Sequence, residues 1–172
     1  IETIKRGGTA VGVDLCEPML REGLPKLRRL GLERRIRMVV GEAEALPVLS
    51  DHFDCATIGF GLRNVTDIDA TFREMARAVR PGGKVVALEI AKPRNPVLRS
   101  LFFLYFYHLS PWVARALGGD PQAYQYLPNS LKAFKTREEL VASMQRAGLQ
   151  EVHFHDRSGG MVCVHVGTKP RP

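Results

Sequence analysis

The sequence predicts an α/β domain built on an open, mostly parallel sheet. Three observations lead there. Short apolar strands alternate with amphipathic helices from residue 9 to residue 90. Those strands run apolar on both faces, as in a parallel sheet with helices on both sides. The final stretch "QEVHFHDRSGGMVCVHVGTKP" holds two strand-like runs around Ser158-Gly159-Gly160, the pattern of a terminal antiparallel hairpin.

The first strand is "TAVGVD", 9–14, apolar until it ends in an acid. "EPMLREGLPKLRRL" follows with apolar residues at helical spacing, and Gly31 supplies a stop. "IRMVVG", 36–41, and "FDCATIG", 53–59, are the next strands. "DIDATFREMARAV" is a helix with an acidic start and a basic end, which suits the macrodipole. "RPGG", 80–83, reads as a turn into a buried strand, "KVVALEI", 84–90. From Pro93 to about Leu131 the chain turns helical and aromatic, with eight aromatic residues between Phe102 and Tyr126. It is expected to be an insertion or lid within a single domain spanning 1–172. "TREELVASMQRAG", 136–148, restores an amphipathic helix, and Thr136 with Glu139 has capping-box spacing.

Composition narrows the function. The 172 residues are 45% hydrophobic and 25% charged, ordinary for a globular domain, and the net charge is +7. Such a balance suits anionic partners, although arginines such as those of "KLRRLGLERRIR" read most simply as a solvated face. No arginine–aromatic interleaving points to nucleic acid. Cys16, Cys55 and Cys163 are far apart, with no C-x-x-C and no His/Cys set at zinc spacing, so no metal site is expected. Cys55 and Cys163 lie in apolar runs where a buried thiol is the default. A reducing, cytoplasmic setting follows, and Ile1 opens no secretory leader. "VLRSLFFLYFYHLSPWVARAL", 97–117, carries Arg99, His108 and Arg115 and is interrupted by Pro111, which argues against a membrane span.

In open α/β sheets ligands bind beyond the carboxyl ends of the strands. That rule selects Asp14, Gly41–Ala43, Gly59–Asn64 and Glu89–Pro93. A carboxylate at Asp14 can accept both hydroxyls of a ribose, or cap the following helix. After the next strand, the small Ala43 lets a flat ring approach the backbone, while Glu42 reads its edge.

"VGVDLCEPML", "GEAEALPVLSDHFDCATIGFGLRNVTD" and "RAVRPGGKVVALEIAKP", in this order and spacing, closely resemble the UbiE/MenG (COQ5) family. These are S-adenosylmethionine-dependent C-methyltransferases of menaquinone and ubiquinone biosynthesis. The resemblance continues through "DPQAYQYLPNSLKAF" and covers nearly the whole chain. It implies a Rossmann-like class I methyltransferase fold and a prenylated quinol substrate. It places Asp14 at the cofactor's ribose, Glu42 and Ala43 at the adenine, and Gly59 beside the bound cofactor. Glu42 is a modest departure, since the family often has Asp or Asn there, and Gly59 often has Ser as its counterpart. A larger departure is at the start. The family's core opens with a strand and a Gly-rich loop around the methionine end of the cofactor. This sequence begins with what looks like the tail of the next helix, so about 30 or more residues are expected ahead of Ile1. By the family's topology that strand lies between those ending at Asp14 and Gly59.

Transfer from a sulfonium to a ring carbon needs alignment and an electron-rich ring, so a group must take or relay a proton. Arg63 is always protonated and is cast as holding a developing phenolate or a relay water, with Asn64 on the ring oxygen. A pairing of Arg63 with Asp67 or Asp69 is the plain alternative. His108 has a suitable intrinsic pKa for a base, and Tyr126 can donate to the ring; both also read as packed residues. The aromatic stretch reads as core filling or as a groove for an isoprenoid tail. In the latter case Lys92, Arg94, Arg99 and Arg115 would rest on anionic lipid at the inner face of the membrane. A homodimer is admitted but not specified. The rivals are a methyltransferase of another small molecule and a non-catalytic scaffold.

Overall fold

The computed structural model describes residues 6–105, 130, 131 and 134–172. Six strands and four helices follow in chain order among them: β1 (Ala10–Asp14), α1 (Glu17–Arg29), β2 (Ile36–Val40), β3 (Phe53–Gly59), α2 (Ile68–Ala78), β4 (Val79–Ile90), α3 (Pro96–Leu104), α4 (Arg137–Arg146), β5 (Gln150–Arg157) and β6 (Val162–Thr168). The class is α/β, as the alternation of patterns predicts.

The strands form two sheets. β1 and β2 pair in parallel, and α1 packs on them. A four-stranded sheet has the order β3-β4-β6-β5, with β3 parallel to β4 and both ladders of β6 antiparallel. No ladder joins β1 to β3 among the described residues. The single open sheet expected from the sequence is thus divided, at the position where the resemblance places a further strand.

The core lies on one face of the larger sheet. Phe72 and Met75 of α2, Val85 and Ala87 of β4, and Leu140 and Met144 of α4 form one buried cluster. Val86, Leu88 and Ile90, on the opposite face of β4, are only half-buried. The expectation of helices covering both faces is therefore met on one face by α2 and α4. Cys55 is corrected for the same reason. Ala56 and Ile58 pack toward the core, while Cys55 and Thr57 point the other way and are exposed. Cys163, on the packed face of β6, is buried as expected.

The "RPGG" stretch is not a turn ahead of a strand. β4 starts at Val79, and the step from Phe53 to Cys55 on β3 is matched by the step from Val79 to Lys84 on β4. The intervening residues bulge, with Gly82 at φ 81, a conformation open to glycine. The terminal hairpin forms as predicted, with Gly159 at φ 65 in its connection. Thr136 and Glu139 close a reciprocal capping box on α4. Of the aromatic insertion, α3 is described, and residues 106–129 lie outside the described residues. His108 and Tyr126 are among these.

Candidate functional site

The site gathers at the carboxyl ends of the strands. At the end of β1, Asp14 uses Oδ1 to accept the Cys16 N–H at 2.8 Å. Cys16 is the N-cap of α1 and makes no side-chain cap bond. Asp14 therefore does not cap the helix itself; it orders the residue that does. Its Oδ2 takes no hydrogen bond among the described residues. The Asp14 carbonyl accepts the Gly41 N–H at 3.1 Å, which brings Glu42 and Ala43 alongside it. A Cβ on Gly41 would meet Pro47 Cδ at 2.7 Å and Val13 Cγ1 at 3.1 Å, so only glycine fits this approach.

Glu42 is exposed, and its carbonyl accepts the Ala45 N–H at 3.3 Å to close a tight turn. The turn is tied to the rest of the site through Glu44. Its carboxylate accepts the Asp67 N–H at 2.7 Å and the Thr66 N–H as well. Glu74 and Arg77 of α2 hold the following residues: Glu74 accepts the Leu46 N–H, and Arg77 donates to the carbonyls of Leu46 and Val48. The loop after β2 is thus stitched to both the loop after β3 and α2.

β3 ends at Gly59, where an added Cβ would meet nothing within 4 Å. Phe60 then takes φ 57, in the left-handed region that a non-glycine residue adopts at a cost. Its N–H still reaches the Leu88 carbonyl at 2.8 Å. This sharp exit turns the chain into a short 3-10 turn, Leu62–Asn64. Leu62 is fully buried and Asn64 exposed.

Neither Asp67 nor Asp69 pairs with Arg63. Asp67 caps α2 through Asp69 N–H and Ala70 N–H, and Asp69 pairs with Lys135 and Arg146. The partner of Arg63 is Glu89: Nε donates to Oε2 at 3.1 Å, while Oε1 accepts the Leu62 N–H at 2.8 Å. Both side chains are buried, at 8% and 2% exposure. Burial pushes the Glu89 carboxyl above its ordinary range, and the Leu62 N–H and Arg63 pull against that rise. Arg63 Nη1 reaches Ser130 Oγ at 3.5 Å. With Leu62, Val65, Ile68 and Phe134, Arg63 lines an open groove of about 420 Å³.

A neighbouring cavity of about 320 Å³ lies over Ile90–Arg94. Arg137 builds its floor, donating to Asp156 Oδ1, the Lys92 carbonyl and the Gly160 carbonyl at 2.6, 2.9 and 2.6 Å. It thereby fastens the exit of β4 to the β5–β6 hairpin.

The structure brings Asp14 together with Glu42 and Ala43, and Arg63 together with Glu89. Asp14 and Gly59 end strands of different sheets. The strand-end rule placed Glu89 near a ligand but gave it no partner, and nothing in the sequence singled out Glu44. The signal for Glu89 was a lone acid inside the apolar run "KVVALEI", on the same buried face as Val85 and Ala87. Glu44 carries no such signal, because its partners are backbone amides more than 20 residues away.

A family model for the ubiE/COQ5 methyltransferase family matches residues 1–169. The demethylmenaquinone methyltransferase of Roseiflexus sp. (strain RS-1) is 48% identical over 162 residues, 94% of this chain and 66% of its own length. The ubiquinone/menaquinone biosynthesis C-methyltransferase UbiE of Legionella pneumophila (strain Corby) is 36% identical over 168 residues, 98% of this chain and 67% of its own. The chain spans about two thirds of the length of these curated relatives. The crystal structure of a SAM-dependent methyltransferase from Aquifex aeolicus superposes with a TM-score of 0.64 at 14% identity, covering 94% of this chain and 69% of that one. This last likeness bears out the class I methyltransferase fold.

Proposed function

Because the chain belongs to the ubiE/COQ5 methyltransferase family, we propose that it carries out S-adenosylmethionine-dependent C-methylation of a reduced prenylated quinone ring, turning demethylmenaquinol into menaquinol. The observation that carries this reading is its identity, across nearly the whole chain, to proteins named for that reaction. The residues present fit the ribose and adenine end of the cofactor. Asp14 offers an open carboxylate oxygen, and Gly59 faces free space. Asp14 would hold the ribose hydroxyls, and Glu42 with Ala43 the adenine.

When bound, S-adenosylmethionine supplies an electrophilic methyl group. Methylation at a ring carbon would leave that carbon's proton to be taken by a neighbouring base or water. Orientation of the ring against the methyl can lower the barrier by about 7–11 kcal/mol at best. The Arg63 guanidinium, which has only donors, would donate to the ring oxygen that gains negative charge, or hold a relay water there. Asn64, next to it in the same turn, would fix the ring. His108 and Tyr126 remain the proposed proton acceptor and ring donor within the aromatic insertion.

The test uses the full-length protein with methyl-labelled S-adenosylmethionine and chemically reduced demethylmenaquinone. Label recovered in menaquinol, with one S-adenosylhomocysteine per methyl, is the expected result. A quinol fraction without label overturns the reading.

The same proposal includes contact with an anionic membrane surface. Among the described residues, no helix is long and apolar enough to cross a membrane. α3 nevertheless exposes Val97, Leu101 and Leu104 at 67%, 56% and 56%. These positions fall on one side of a helix, with Arg94 and Arg99 exposed nearby. An apolar stripe beside cations is the composition of an interfacial helix.

A further inference from the structure

Glu89 stands where the alternation of β4 calls for an apolar residue. Val85 and Ala87 precede it on the same buried face. A carboxylate there is costly unless each oxygen is matched, and here each is matched by a different part of one short turn. Oε1 takes the Leu62 N–H, which anchors the backbone that carries Arg63 and Asn64. Oε2 takes Arg63 Nε. The pairing is therefore side-on, through Nε, rather than through the two terminal nitrogens. The hydrogen bond to Glu89 runs through Nε alone, which leaves donors on Nη1 and Nη2 for other partners. Nη1 reaches Ser130 across the groove, and Nη2 takes no partner among the described residues.

We propose that Glu89 is a positioning residue for the methyl transfer: it holds Arg63 side-on, so that the terminal guanidinium nitrogens meet the ring oxygen that gains charge. The inference rests on the function proposed above. A lysine at position 63 has one nitrogen and cannot serve Glu89 and a ring oxygen in the same manner.

Glu89→Gln keeps an oxygen for the Leu62 N–H and removes the carboxylate that orients Arg63. In the full-length protein this variant is expected to lower kcat by about tenfold or more, with KM for S-adenosylmethionine within about twofold. In an Arg63→Ala background the same change is expected to alter kcat by less than about twofold, because its effect runs through Arg63. A second readout does not depend on turnover or on the variant folding well. In the wild-type protein the Arg63 Nε–H, assigned by its loss in Arg63→Lys, is expected to exchange with solvent far more slowly than those of surface arginines. Wild-type kcat in Glu89→Gln, additive losses in the double variant, or rapid exchange of that Nε–H each overturn the proposal. Wild-type protein that leaves demethylmenaquinol unmethylated while the Nε–H is protected overturns the functional reading, and with it Glu89's part in this reaction.

Discussion

Asp69 collects more charge than any role in capping α2 requires. Lys135 reaches Oδ1 at 3.1 Å, and Arg146 grips both oxygens at 2.8 and 3.0 Å. The Ser143 hydroxyl, then Lys135 and Arg146, hold its carboxyl down to about 2. Because the folded-state value lies below the unfolded value of about 3.9, the unfolded chain binds more protons between the two. The contribution of Asp69 to stability is then present above about pH 4 and disappears as pH falls through about 2. Denaturant melts of Asp69→Asn against wild type are expected to differ most above pH 4 and to converge near pH 2. A difference that stays constant with pH counts against the pairing. Glu89 shows the opposite sign within the same domain. Burial raises its carboxyl, and hydrogen bonds from Leu62 and Ile90 together with Arg63 pull against that rise.

At the scale of elements, α4 is the part whose local code is most complete. Thr136 Oγ1 accepts the Glu139 N–H at 3.2 Å, and Glu139 accepts the Thr136 N–H at 2.6 Å. The box satisfies two amides that the helix itself leaves unpaired. Thr136→Ala is expected to cost about 1 kcal/mol in urea unfolding with an unchanged m-value. α2 is started in a similar way by Asp67. The α4 cap was legible in the sequence because a capping box acts over three residues, whereas Asp67 was read only as part of an acidic helix start or as a partner for Arg63. β4 was less legible. Its "RPGG" has turn chemistry, yet the ladder with β3 absorbs it as a bulge, because pairing on either side outweighs the local preference.

For the molecule as a whole, the proposed membrane contact draws on the net charge of +7 and the exposed stripe of α3. Vesicles rich in phosphatidylglycerol are expected to pellet the full-length protein at low salt, and vesicles of phosphatidylcholine alone are not. Juxtaposed basic residues contribute about 1 kcal/mol each near such a surface. Val97→Asp with Leu101→Asp, or Arg94→Glu with Arg99→Glu, should abolish pelleting; undiminished binding in both variants sinks the lipid contact. The sequence by itself determined the α/β class, most of the strands and helices, and the strand ends near Asp14, Val40 and Gly59, because periodicity, caps and turns act over a few residues. It also carried the family, through motifs that keep their spacing. Only the tertiary structure decided which charges meet. Arg63 finds Glu89 rather than the nearer Asp67 or Asp69, since those acids are already spent on the α2 cap and on Lys135 and Arg146. The exposed side of β3 belongs to the same level. Strand order, and which face is covered, depend on contacts between segments far apart in the chain, which no local pattern records.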